Sequence, residues 1–430
     1  MSLETPDKIR TLRKKLYFKA KAEPDFRFYL LYDKVFRADI LEHAYRLARA
    51  NGGAPGVDGV TFAVIETAGL EEWLAGLGKT LRDRTYRPDP VRRVMIPKPN
   101  GGERPLGIPT IRDRVVQTAA KLVIEPIIEA DLEPNTYGYR PKRSAGDAIA
   151  AVHGLLRRGY TDVVDADLSK YFDTIPHEQL MRSVARRIVD GDILKLIKMW
   201  LKAPVEETDK DGKKRLTGGK RTKQGTPQGG VISPLLANLY MNRFLKYWRL
   251  TGQERKLKAH VISYADDFVS RGHAAEAKGW AAEVMTRLGL TLNEAKTSLR
   301  NARAESFNFL GYCFGPHYFP GNGRRYLGAS PSKKSVARLK PRISAILHRG
   351  NNAPWSEVCA ELNRVLKGWS NYFDHGTCTP AYTAINHHVV ARVRHFLAKR
   401  HKVPSRGTRR FSSENIFGEL GVVRLRKAVL

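Results

Sequence analysis

The sequence predicts an α+β fold: a split, mostly antiparallel sheet with helices on one face, followed by an all-helical module. Three observations predict it. Strand and helix periodicities follow one another in the order β, αα, α, ββ, α, β through the middle of the chain. Beyond Gly328-Ala329-Ser330-Pro331, where a boundary is expected, only helical spacing remains. The 430 residues are 42% hydrophobic, enough to bury cores in two or three domains.

The first helix is expected at about Asp7 to Lys21, with Ile9, Leu12 and Leu16 on one face and a run of Lys and Arg elsewhere. A second, near Ile40 to Ala50, is stopped by Gly52-Gly53-Ala54-Pro55-Gly56, and a third carries Leu70, Trp73, Leu74, Leu77 and Leu81. Val94 and Ile96 then alternate with polar neighbours before Pro97-Lys98-Pro99-Asn100-Gly101-Gly102, and Arg104 to Ile108 returns as a hairpin with a basic tip. Helices follow at about 112–130 and 144–158, the latter with Ser144 as N-cap and Asp147 three residues on. Val163 to Leu168 reads as a buried strand interrupted by acids.

Two helices fill roughly 178–202, and a polar hairpin turns at Asp211-Gly212. After Gln224-Gly225-Thr226-Pro227-Gln228-Gly229-Gly230, a long helix presents Ile232, Leu235, Leu236, Leu239, Phe244 and Tyr247 as its inner face. Val261 to Val269 reads as two short strands joined by the acidic turn Asp266-Asp267. A helix near 274–288 and a hairpin opening at Phe307 complete the mixed region, and helices at about 332–349, 355–373 and 381–399 make up the module after it.

Lys and Arg number 75 against 43 Asp and Glu, a formal charge of +32. Residues 331–430 alone hold 19 Lys and Arg against 5 Asp and Glu, so the helical module is strongly basic. With a normal apolar fraction this is the signature of a folded protein with a polyanionic partner rather than of disorder. Three cysteines, Cys313, Cys359 and Cys378, lack paired spacing, which excludes a disulfide framework and a multi-cysteine zinc site and fits a reducing, cytoplasmic setting (a bacterial-type cytosol or nucleoid). The charged N-terminus lacks the apolar core of a signal peptide, and the longest uncharged stretch, 224–242, is broken by Pro227, Gly229, Gly230 and Pro234, so no membrane segment is expected.

Three acids stand out: Asp167 at the end of one apolar strand, and Asp266 with Asp267 at the tip of the next hairpin. Two carboxylates ~5 Å apart repel by about 3 kcal/mol at an effective dielectric of 20. A divalent cation removes that cost. Carboxylates without nearby His or Cys suit Mg²⁺, which also engages substrate phosphates. An Asp-Asp doublet alone is commonly an ordinary turn; this one is accompanied by Asp167-Leu168-Ser169-Lys170-Tyr171-Phe172-Asp173 and by the Gly-rich 224–230 segment.

With Tyr264-Ala265-Asp266-Asp267, these segments resemble the reverse transcriptases of group II introns, RNA-directed DNA polymerases that also act as maturases. The resemblance extends to Gly53 to Gly59, to Ile96-Pro97-Lys98-Pro99 with Arg104 to Pro109, and to Tyr137-Gly138-Tyr139-Arg140-Pro141. Phe309-Leu310-Gly311-Tyr312 and Lys367-Gly368-Trp369-Ser370-Asn371-Tyr372-Phe373 continue it. It implies a right-hand polymerase with fingers and palm followed by a helical thumb, or maturase, domain. It further implies Asp167, Asp266 and Asp267 as catalytic acids, with Asp167, Asp266 and the backbone of Leu168 holding two Mg²⁺ ions, for which Mn²⁺ can substitute. Lys98 and Arg104 would grip the triphosphate, Gln228 would touch the incoming nucleotide, and Phe172 would lie beneath the sugar, where a 2′-hydroxyl clashes. Ordinary roles compete for each: exposed hairpin charge for Lys98 and Arg104, a helix-initiating turn for Gln228, and core for Phe172. Arg112, Arg114, Arg140 and Arg143 are candidates for template contact or for salt bridges.

On this reading residues 1–70 form a basic N-terminal extension, 71–328 fingers and palm, 329–400 the thumb and 401–430 a basic tail. RNA template and intron RNA, a DNA or RNA primer and dNTPs are the expected partners. The His residues at 387, 388, 395 and 401 are assigned to RNA contact or solvent, and without a Cys-bearing nuclease segment no DNA cleavage is expected. Two alternatives use the same residues: a maturase whose polymerisation is dispensable, and a domesticated enzyme of DNA repair or phage defence.

Overall fold

The computed structural model describes residues 3–97, 101–209, 211–264, 267–270 (backbone), 273–319, 321–403 and 407–427. The chain forms two compact units. One contains Met1–Arg143, Ala166–Lys256 and Lys278–Thr297; the other contains Ser144–Asp165, Leu257–Ala277 and Ser298–Leu430. The first 70 residues thus belong to the same unit as the basic hairpin.

The first unit is built around the helix Ile111–Asp131, in which 17 of 21 residues are buried. A helix apolar on nearly every side has to be covered on every side. Asp7–Ala22 and Ala38–Asn51 supply part of that cover through Ile9, Leu16, Ile40 and Leu41. Two cations of the first helix serve this packing: Arg13 bonds the Leu122 carbonyl and Glu125, and Lys21 bonds the Ala130 carbonyl. The third helix is longer than its apolar spacing suggests, Phe62–Arg82, and kinks at Gly69, whose φ of 107° only glycine adopts easily.

A four-stranded sheet completes this unit. Val91–Pro97 pairs antiparallel with Glu103–Ile108 and parallel with Pro204–Thr208, which turns back through Lys214–Gly218. The long helix Ser233–Leu250 buries Leu235, Leu236, Leu239 and Phe244 as expected. Tyr247 departs from the inner face: the residue is 42% exposed and its ring stacks on Trp280, because the larger Trp248 takes the buried position beside it.

In the second unit, Ala145–Arg157 starts with the expected capping box between Ser144 and Asp147. A four-stranded antiparallel sheet follows in the order Ala259–Ile262, Asp267–Ser270, Asp162–Asp165, Ser298–Asn301. Phe307–Phe309, Tyr312–Tyr318 and Arg325–Pro331 make a separate three-stranded sheet. Among the described residues the sheet of the fold is therefore three sheets, mostly antiparallel. The expected boundary at Gly328–Pro331 is the end of a strand, since Ala329 lies opposite Phe314 and both are fully buried. Small residues there permit close strand packing instead of a linker.

The helices Lys333–Ile346, Trp355–Tyr372 and Thr379–Arg400 enclose a core that includes Leu339, Ile343, Leu362, Leu366, Ile385, Val389 and Val393. The segment after residue 406 closes over it through Phe411, Ile416 and Val422, so the basic tail is in part a packed lid.

Candidate active site

Asp167 lies two residues past the strand Asp162–Asp165, which is shorter than the apolar run suggested. Beyond Ala166 the chain leaves that sheet and runs antiparallel to 291–293, with Leu168 opposite Leu292. The Asn293 amide donates to the Asp167 carbonyl at 2.7 Å and the Ser169 amide to the Thr291 carbonyl at 2.9 Å. These bonds flank Leu168, so its own carbonyl points to the opposite edge. Its side chain is buried.

The Asp167 carboxylate, 45% exposed, accepts from Asn293 Nδ2 at 3.3 Å and pairs with Lys296 Nζ at 3.1 Å. Neither partner was legible in the sequence: more than 120 residues separate them from Asp167, and only the Leu168–Leu292 bridge brings them together. The solvent-exposed pair with Lys296 adds at most about 1 kcal/mol to stability. The effect of both partners is orientation: they hold the carboxylate in one direction.

The turn after Asp167 sets the next residues. Lys170 takes a left-handed φ of 48°, which starts a single helical turn, Tyr171–Thr174. The Tyr171 hydroxyl anchors it on the Ala237 carbonyl at 2.6 Å. Phe172 is therefore neither on a strand nor in the core. Its half-buried ring meets the edge of Tyr139 at 6.4 Å between centroids and 88° between planes. Tyr139 is itself held out at φ 56° and is 63% exposed. The neighbouring Arg140 secures that posture by gripping Glu129 and the carbonyls of Glu133 and Thr136.

The segment 224–230 is stitched along this turn. The Thr226 amide donates to the Phe172 carbonyl at 2.6 Å, the Gly225 amide to the Ile175 carbonyl at 2.9 Å, and Gln224 bridges Pro176. On its other side, the Gln228 carbonyl accepts from the Gly107 amide at 2.5 Å. A Cβ on Gly229, whose φ is 110°, would meet the Gly107 carbonyl oxygen, and one on Gly225 would sit 3.0 Å from the Asp173 carbonyl oxygen. Glycine is required at both approaches. The Gln228 side chain donates to Asp173 at 3.2 Å, which adds Asp173 to the residues unassigned by the sequence. Arg104, exposed on the strand Glu103–Ile108 opposite Ile96, belongs to the same hairpin as Gly107.

Lys98 and Asp266 lie outside the described residues. Asp267 opens the strand Asp267–Ser270, which pairs with Asp162–Asp165 in the register Val164 to Phe268 and with Ala259–Ile262 in the register Val261 to Phe268. Of the arginines, Arg114 is buried and bonds the carbonyls of Pro109, Gly52 and Ala54, while Arg112 bonds Asp89 and the Arg87 carbonyl. With Arg140 these are fold-holding groups. Arg143 is exposed and lies over Tyr137.

Beneath the hairpin lies Asp113, which accepts from the Tyr86 hydroxyl at 2.7 Å and the Asp89 amide at 3.0 Å. Burial pushes its carboxyl up to about 6. The same burial raises the Tyr86 phenol, which keeps its proton and donates it in the bond to Asp113. Among the described residues, no three His, Cys, Asp or Glu side chains cluster as a metal site, and no helix is long and apolar enough to cross a membrane.

Residues 96–314 match the family described as reverse transcriptase (RNA-dependent DNA polymerase), and residues 336–412 match the group II intron, maturase-specific domain. Protein YkfC of Escherichia coli (strain K12) is 36% identical over 343 residues, covering 71% of this chain and 87% of that protein. The group II intron-encoded protein LtrA of Lactococcus lactis subsp. cremoris is 35% identical over 224 residues, which is 51% of this chain and 35% of LtrA. Among solved structures, telomerase from Candida albicans in complex with a fragment of telomeric RNA aligns with 83% of this chain and 68% of that one, at 13% identity and a TM-score of 0.43.

Proposed function

Because the chain belongs to the group II intron reverse transcriptases, with a maturase-specific domain after its polymerase domain, we propose that it extends a DNA or RNA primer with dNTPs on an RNA template, using Asp167, Asp266 and Asp267. The observation that carries the assignment is the Asp167 carboxylate: half open to solvent, fixed by Asn293, and already drawing a cation in Lys296. A hard oxygen donor that attracts positive charge fits a divalent ion. Asp167, Asp266 and the carbonyl of Leu168 are the groups that would hold two Mg²⁺ ions, or Mn²⁺ in their place. When bound, such ions activate the primer hydroxyl and stabilise the departing pyrophosphate.

The remaining steps fall to side chains. Arg104, together with Lys98, grips the triphosphate; a planar fork and a point charge together bind phosphate oxygens at several angles. Gln228, braced by Asp173 and by the Gly107 contact, positions the nucleotide through a backbone that glycine lets come close. Phe172 supports the sugar and excludes a 2′-hydroxyl. Residues 329–400 serve as the thumb and hold RNA through their basic surface, which also supports intron binding as a maturase.

The test is primer extension by Asp167→Ala and Asp266→Ala beside RNA affinity on the same preparations. Extension should vanish while affinity stays within about twofold, because one ligand among the +32 surface contributes little to binding. Extension near the wild-type rate in either variant would remove the assignment.

A further inference from the structure

The second unit contains an open cleft of about 710 Å³ that the polymerase reading leaves unused. Three separate segments bring arginines to it. Arg157 ends the helix Ala145–Arg157, and Arg325 begins the strand Arg325–Pro331. Arg303 follows the strand Ser298–Asn301, held nearby by the Ala302 amide donating to the Thr161 carbonyl at 2.7 Å. All three are exposed, and among the described residues no carboxylate lines the cleft. Among the described residues none of the three has an acidic partner, whereas Arg300 nearby pairs with Glu305. Three like charges gathered without a counter-ion repel one another, and an anion relieves that repulsion.

Aromatic rings stand beside the arginines. The ring centroid of Phe319, a residue 47% exposed, lies 4.4 Å from that of Tyr326 at an interplanar angle of 32°, both at the turn end of the hairpin formed by Tyr312–Tyr318 and Arg325–Pro331. An exposed large ring contributes little to folding and offers a π-face to a base. Leu156 and Leu327 give the cleft an apolar floor, where His153 shares a hydrogen bond with His375 at 3.0 Å.

Guanidinium groups for phosphates, an aromatic platform for a base and room for more than one nucleotide together specify a ligand. We propose that this cleft binds a single-stranded segment of the RNA substrate, with one base stacked on Phe319 and Tyr326 and its flanking phosphates on Arg157, Arg303 and Arg325. The contact is separate from nucleotide addition. It rests on the family's use of RNA but not on the assignment of the catalytic acids.

The experiment uses the full chain and a short unstructured oligoribonucleotide carrying thiouridine. Irradiation of the wild-type complex should crosslink a peptide containing Phe319 or Tyr326. In the triple variant Arg157→Ala, Arg303→Ala, Arg325→Ala that crosslink should disappear, and the slope of log affinity against log salt should fall by about 2, at roughly 0.7 per lost single-strand phosphate contact. Phe319→Ala should weaken the oligonucleotide about tenfold. Melting temperatures and extension of a pre-annealed primer should be unchanged, which separates this site from failure of the polymerase assignment. Three results overturn the proposal: no crosslink in this hairpin at saturating oligonucleotide, an unchanged salt slope in the folded triple variant, or displacement by adenosine monophosphate at the oligonucleotide's own concentration, which would mark a free-nucleotide site.

Discussion

Replacing Phe172 by Ala separates sugar selection from packing because the ring is half-buried rather than enclosed. A fully enclosed Phe lost to Ala costs about 3–5 kcal/mol. Here most of the residue is covered, worth about 1–2 kcal/mol of burial, and its edge contact with Tyr139 adds about 0.5–1 kcal/mol. The expected loss of stability is therefore about 2–3 kcal/mol, below that of an enclosed Phe. The backbone of the turn should persist, since the Phe172 carbonyl keeps its bond from the Thr226 amide and Tyr171 stays anchored on Ala237. If the ring is the wall against a 2′-hydroxyl, its removal should raise rNTP use relative to dNTP by roughly 5- to 150-fold, the equivalent of 1–3 kcal/mol of pocket discrimination. The assay is a paired measurement of kcat/KM for dNTP and rNTP, with a thermal melt on the same variant. A lowered melting temperature with an unchanged dNTP-to-rNTP ratio would refute the sugar-wall role and leave Phe172 as a packing residue of the turn.

Gly229→Ala forces a Cβ onto the Gly107 carbonyl at a positive φ, so it should cost about 1–3 kcal/mol and raise the KM for dNTP through displacement of Gln228; wild-type KM would show that the turn does not position the nucleotide. Replacing the exposed Lys333, Lys334 and Arg338 by Ala should reduce the salt slope of RNA binding by about 2 if the thumb charge contacts phosphates, and an unchanged slope would place that charge elsewhere in function. Asp113 has a folded-state pKa of about 6, above its unfolded value of about 4, so the stability it contributes is fully present below pH ~4 and is lost as pH rises through 6. Chemical denaturation across pH 4 to 7 should therefore show wild type losing about 3 kcal/mol relative to Asp113→Asn; a pH-independent difference would show that the carboxyl is not held protonated.

Local signals alone settled much of this protein. Ser144 and Asp147 cap their helix as their spacing demands, and Gly52 ends the helix Ala38–Asn51 in a left-handed conformation. Val91–Pro97 and Glu103–Ile108 pair as their alternation demands, and the acids and Gly-rich segment identified the family, because capping, strand alternation and motif spacing act within a few residues. Long-range packing decided the rest. Asp167 acquired Lys296 and Asn293 through one bridge between 168 and 292, and no periodicity encodes which segment arrives there. Arg114 became a strut because the carbonyls of Gly52 and Ala54 arrive from a distant turn, while among the described residues Arg157, Arg303 and Arg325 remained without acids. A charge's role depends on which groups the folded chain brings within a few ångströms of it, and that distance is a property of the tertiary structure alone.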